Sequence, residues 1–86
     1  MNHSCSIDVL LFAGASESVG GADRVTVQTT ERPTAKELMT QLSDQHTELA
    51  ALVQRSRLAV DQRYVSPDHV IEQDAEVALI PPVSGG

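Results

Sequence analysis

Two short apolar runs bracket the chain. Ile7–Ala13 (IDVLLFA) stands near the start and Val77–Ile80 (VALI) near the end. Each is too short for a buried helix and rich in β-formers, so each reads as a strand. VALI has no polar alternation, which marks a strand covered on both faces. Pro81 follows it and ends its hydrogen bonding. Two such strands belong at the centre of one sheet. Since they lie at opposite ends of the chain, everything between them is available as the crossover that parallel neighbours require.

Between them, Arg24–Thr30 (RVTVQTT) alternates Val25, Val27 and Thr29 against Thr26 and Gln28, the pattern of a half-buried strand. It pairs with the first strand across the Gly/Ser-rich loop Gly14–Asp23. Thr34 and Glu37 form an S/T-x-x-E capping box, which predicts a helix start just after Pro33. Ala35, Leu38, Met39 and Leu42 then make one apolar stripe at helical spacing. Asp44–Thr47 interrupts it, and Leu49, Leu52 and Val53 predict a second short helical turn. Leu58–Asp61 reads as a third strand and Tyr64-Val65 as a short fourth, ended by the turn Ser66-Pro67-Asp68. Val70 and Ile71 lead into an acidic turn. The expected fold is α+β: a mixed sheet of four to five strands on one main helix, in β-grasp order. Residues 1–81 form that domain and residues 82–86 an extended tail.

At 86 residues there is room for one core. Phe12 and Tyr64 are the only aromatics, so the core must be aliphatic. The net charge of −6 argues against nucleic acid; it suits either a basic protein partner or simple solubility. Cys5 is the only cysteine, which excludes an intrachain disulfide and points to a reducing compartment. It sits in a polar lead ahead of the first strand, with His3 as the only neighbour able to activate it. IDVLLFAGA is no secretory signal, since Asp8 interrupts it and no Lys or Arg precedes it. No run approaches the length of a membrane span, so a cytoplasmic location is expected, with no membrane partner. His3, His46 and His69 share no ligand spacing, and no metal is expected.

The period of two also sorts the faces. Ile7, Val9 and Leu11 share one side of the first strand, and Asp8, Leu10 and Phe12 the other. In the last strand Val77 and Leu79 face the helix, leaving Ala78 and Ile80 outside. Phe12 and Ile80, joined by Tyr64, then form an aromatic-aliphatic patch on the open face, which suits a partner-binding anchor. Asp68, Glu72, Asp74 and Glu76 make either a solvated acidic turn or a patch that steers a basic partner.

The last six residues are Pro81-Pro82-Val83-Ser84-Gly85-Gly86. Two prolines favour a stiff, extended stem. Two glycines make a thin tip that adopts any φ. Such a tail can thread a carboxylate into another protein's active site. An α-carboxyl has an ordinary pKa of about 3.5 and is ionised at neutral pH. It can attack the α-phosphorus of ATP unaided, and the acyl-adenylate can pass to sulfur or to an amine.

IDVLLFA, RPTAKELMTQL, LAVDQRYVSPDHVI and above all DAEVALIPPVSGG resemble the small subunit of molybdopterin synthase, a ubiquitin-like sulfur carrier of the MoaD/ThiS type. The resemblance implies that an E1-like enzyme adenylates Gly86 with ATP and that the acyl group becomes a thiocarboxylate. The tail would then enter the large synthase subunit, in a heterotetramer of two small and two large subunits, and donate sulfur to cyclic pyranopterin monophosphate for the molybdenum cofactor. Gly86 and Gly85 would be the reacting end. Phe12, Tyr64, Ile80, Pro81, Pro82, Val83 and Ser84 would bind the partner. The chain would hold no cofactor and would not be an enzyme alone, the acid–base groups lying on the large subunit. A carrier for thiazole or thiolated tRNA, or a ubiquitin-like modifier, fits the same diglycine. Asp61 stands where the family often has Asn, and Ala75 where it often has Gly.

Overall fold

The computed structural model describes residues 5–11, 20 and 23–81. Five strands form one mixed sheet in the order β2-β1-β5-β3-β4. They are β1 (Cys5–Leu11), β2 (Arg24–Thr29), β3 (Arg57–Val60), β4 (Arg63–Tyr64) and β5 (Val77–Ile80). The helix α1 spans Ala35–Gln45; a 3-10 turn at Thr47–Leu49 leads into the short α2, Ala50–Val53. The two apolar end strands do meet as parallel central neighbours, with Val9 opposite Val77 and Leu11 opposite Leu79. Antiparallel partners flank them, β2 beside β1 and β3 beside β5. That is a β-grasp sheet.

Alternation decides which side chains enter the core. Ile7, Val9 and Leu11 point inward from β1, Val25 and Val27 from β2, Leu58 and Val60 from β3, and Val77 and Leu79 from β5. Against them α1 lays Ala35, Leu38 and Leu42, all buried, and Leu49, Val53 and Ile71 close the remaining side. Met39 and Leu52 are only partly buried at its rim. No aromatic side chain is among these core residues.

The capping box forms as expected. Thr34 Oγ1 accepts from the Glu37 amide at 3.1 Å, and Glu37 Oε1 accepts from the Thr34 amide at 2.8 Å. The next orphan donors are met by the loop after β4, the Ala35 amide donating to the His69 carbonyl and the Lys36 amide to the Pro67 carbonyl. Val70 and Ile71 lead into the acidic turn as expected; Val70 also bridges Thr34, and Ile71 is anchored by its amide on the Pro33 carbonyl.

Three boundaries differ from the sequence expectation. Cys5 lies inside β1, partly buried and opposite Thr29, not in a lead before it. Positions 12 and 13 of the expected first strand fall outside the described residues. Strand β3 stops at Val60 because Asp61 and Gln62 have φ of 51° and 69°. Both lie in the left-handed region, and Val60 pairs directly with Arg63. This is a two-residue hairpin loop of the primed kind, whose twist matches the strands it joins. It sets β4 at Arg63–Tyr64, one residue earlier than Tyr64-Val65.

The turn explains how Asp can stand at position 61. Asn and Asp tolerate the left-handed region better than other side chains. Asp61 Oδ1 also accepts from the Glu76 amide at 3.0 Å, and the Asp61 amide donates to the Glu76 carbonyl at 2.8 Å. An Asn side-chain oxygen could accept the same bond. Ala75 is not among the positive-φ residues, so that position does not require glycine here.

Candidate functional site

The face of the sheet away from α1 carries the second residue of each alternating pair. Strand register places Arg24, Leu10, Ala78, Ala59 and Tyr64 in one row across all five strands. The next row along holds Ile80 opposite Arg57. Leu10, Ala59, Ala78 and Ile80 floor a shallow concavity of about 270 Å³, with Tyr64, Gln62 and Glu76 on its rim. Tyr64 is 56% exposed, the most exposed large apolar-bodied side chain among the described residues. A phenol standing over aliphatic side chains gives large contact area with a polar tip, which is what protein interfaces select.

Tyr64 is held in place by Arg57, whose guanidinium carbon sits 4.4 Å from the ring centroid. Arg57 thus joins the aromatic to Ile80 and to the exit of β5. Sequence reasoning missed Arg57 because its link to Ile80 exists only once β3 is known to pair with β5. On the far side Asp8, exposed, accepts from the Thr26 hydroxyl at 2.8 Å. Glu76 is the charged residue that lines the concavity, and Arg57 reaches it only through Tyr64.

Of the expected partner-binding residues, the structure brings Tyr64 and Ile80 together on this face and sets half-buried Pro81 directly after Ile80. Phe12, Pro82, Val83, Ser84, Gly85 and Gly86 lie outside the described residues. Ala78 is corrected: it is on the open face but only 9% exposed, because Leu10 and Ala59 flank it and larger side chains rise around it. Asp68, Glu72, Asp74 and Glu76 are all exposed, and Glu72 lies 3.7 Å from Arg32. Among the described residues no three His, Cys, Asp or Glu side chains group as metal ligands, and no helix is long and apolar enough to cross a membrane. The result is an exposed aromatic-aliphatic face beside the end of a central strand.

Comparison with known proteins points the same way. The ThiS family model matches residues 9–86. The molybdopterin synthase sulfur carrier subunit of Dictyostelium discoideum is 34% identical over 91% of this chain and 93% of its own length. That of Escherichia coli K12 is 37% identical over 93% of this chain and 99% of its own. Among solved structures, SAMP1 from Haloferax volcanii superposes with a TM-score of 0.76 at 25% identity, covering 94% of this chain and 99% of that one. A chain from the complex of subunits 1 and 2 of molybdopterin-converting factor from Helicobacter pylori 26695 has a TM-score of 0.67 at 17% identity, covering 94% and 99%, which speaks to the fold. With the family match spanning all five strands' connecting chain from the middle of β1 to residue 86, this protein belongs to the ThiS family.

Proposed function

We propose that this chain is the sulfur carrier and sulfur-donating small subunit of molybdopterin synthase. The carrying observation is its near-full-length likeness to proteins named as that subunit, in a chain whose central strand β5 leads into Pro-Pro-Val-Ser-Gly-Gly. In this reading the Gly86 carboxylate attacks the α-phosphorus of ATP on an E1-like enzyme and pyrophosphate leaves. A hydrosulfide-level sulfur nucleophile then attacks the acyl-adenylate carbonyl, the bond to AMP breaks, and AMP leaves a thiocarboxylate. Glycine suits the end position because no side chain crowds the attacked carbonyl. The thiocarboxylate donates its sulfur to cyclic pyranopterin monophosphate inside the large subunit, which supplies the acid–base groups. ATP is the activating enzyme's substrate, and the work takes place in the cytoplasm.

Docking falls to the face around Tyr64, Arg57 and Ile80, which lies beside the root of the tail. The complex to which the Helicobacter pylori chain belongs supports a large-subunit partner. The test is intact-mass spectrometry of the chain co-expressed with an activating enzyme. The reading expects a mass gain equal to the difference between sulfur and oxygen, absent in a chain lacking Gly85 and Gly86. No gain with a competent activating enzyme would overturn it.

The likeness to SAMP1, a small archaeal modifier protein, favours one second reading, in which Gly86 ends in an isopeptide bond. N-terminally tagged chain appearing in high-mass, thiol-resistant conjugates would select it over sulfur transfer.

A further inference from the structure

The sheet has two outer strands, and they are not equally protected. β4 has two residues, too few to template another chain. β2 has six, with no proline, no lysine and no charge pointing inward. Its one cation, Arg24, stands at its first residue. By the antiparallel alternation, Val25, Val27 and Thr29 turn their amides and carbonyls toward β1, while Thr26 and Gln28 turn theirs to the open edge. Such groups are a ready template for a further strand.

The end of α1 covers them. Gln45 Oε1 accepts from the Gln28 amide at 2.8 Å, and Gln45 Nε2 donates to the Gln28 carbonyl at 2.7 Å. One primary amide thus makes the two bonds that a neighbouring strand's peptide groups would make. The next residue continues the seal: His46 Nε2 lies 3.0 Å from the Thr26 carbonyl and carries the proton in that bond. Three groups of the edge are occupied by two consecutive side chains at a helix end.

We propose that Gln45 and His46 are a guard that keeps β2 from adding a strand from a second copy of this chain. The side chains of β2 would not prevent that pairing by themselves. An antiparallel pairing centred on Thr26 sets Thr26 against Thr26 and Arg24 against Gln28, with no like charges opposed. The backbone bonds of such a pair need the Gln28 amide, the Gln28 carbonyl and the Thr26 carbonyl, the same groups that the guard holds. The guard keeps the protein a single copy, independently of what its tail carries.

The test uses the full chain with Gln45→Ala and His46→Ala together, by sedimentation velocity and amide hydrogen exchange. Exchange at the Gln28 amide should speed up by about tenfold in dilute protein, for the loss of one hydrogen bond. At concentrations where the unmodified chain sediments as a monomer, the double variant should sediment as a dimer. Adding Thr26→Pro, which removes an outward donor while leaving the β1 ladder intact, should restore the monomer. If circular dichroism shows the double variant unfolded, Gln45→Ala serves alone: it removes both bonds to Gln28 and leaves His46 in place. Unchanged Gln28 exchange, a monomer despite faster exchange, or a dimer indifferent to Thr26→Pro would each overturn the guard.

Discussion

Leu79 and Ile80 are neighbours in β5, yet the sheet gives them opposite duties, so truncating each to alanine separates folding from docking. Leu79 is fully buried in the core; Ile80 is half-buried on the open face beside Arg57. Leu79→Ala removes about three methylene equivalents, worth ~2.4 kcal/mol in transfer free energy. The residual cavity adds to this, for a total of about 3–4 kcal/mol. A domain of this size is stable by only about 4–13 kcal/mol, so the loss is large. At roughly 4–8 °C per kcal/mol it lowers Tm by about 12–30 °C. Ile80→Ala loses the same number of carbons from a site already partly wet and with no closed cavity to leave, so it costs about 1 kcal/mol. For binding the order reverses. Ile80→Ala should weaken association with the large synthase subunit by about tenfold or more, the loss expected for an interface anchor. Leu79→Ala should leave the affinity of its folded fraction nearly unchanged. Chemical denaturation of the free chain and titration calorimetry against the large subunit read the two effects. Equal destabilisation by both substitutions, or an unchanged affinity for Ile80→Ala, would refute the two-faced account of β5.

Further outcomes follow from single bonds. Thr34→Ala removes the acceptor of the capping box and should cost about 1 kcal/mol, seen as a lower denaturation midpoint with unchanged slope. At the hairpin, Asp61→Asn should change stability by less than about 0.5 kcal/mol, while Asp61→Val should cost roughly 2–3 kcal/mol. The valine loses the bond to the Glu76 amide and places a β-branched residue at φ 51°. Equal Tm values for the three Asp61 chains would contradict the turn assignment. Arg57→Ala should weaken large-subunit binding with little change in Tm, since Arg57 is exposed and acts by steadying Tyr64.

The fold was legible wherever a local rule and the global need agreed. VALI could be read as central because a fully apolar four-residue run has no other place, and it is central. The helix start was legible because Thr34 and Glu37 satisfy each other within one turn. The Asp61-Gln62 turn was not, because it contains no glycine; its left-handed backbone is supported by Glu76, fifteen residues away. The open-face cluster was half legible. Alternation sent Ile80 outward and Tyr64 was expected to join it, but only the β3–β5 register puts Arg57 between them. Ala78 followed the alternation and was still buried, since a small side chain between strands is shaded by its neighbours. The cover on the β2 edge left no sequence signal, because Gln45 and Gln28 meet only when the helix lies across the sheet.

The claim that this chain donates sulfur from its own terminus is tested most directly by a single turnover. Thiocarboxylated chain is mixed with the large subunit and cyclic pyranopterin monophosphate, and its intact mass is followed in time. The account predicts that the mass falls back by the sulfur–oxygen difference in step with dithiolene formation. A thiocarboxylate that persists while the dithiolene accumulates would contradict it.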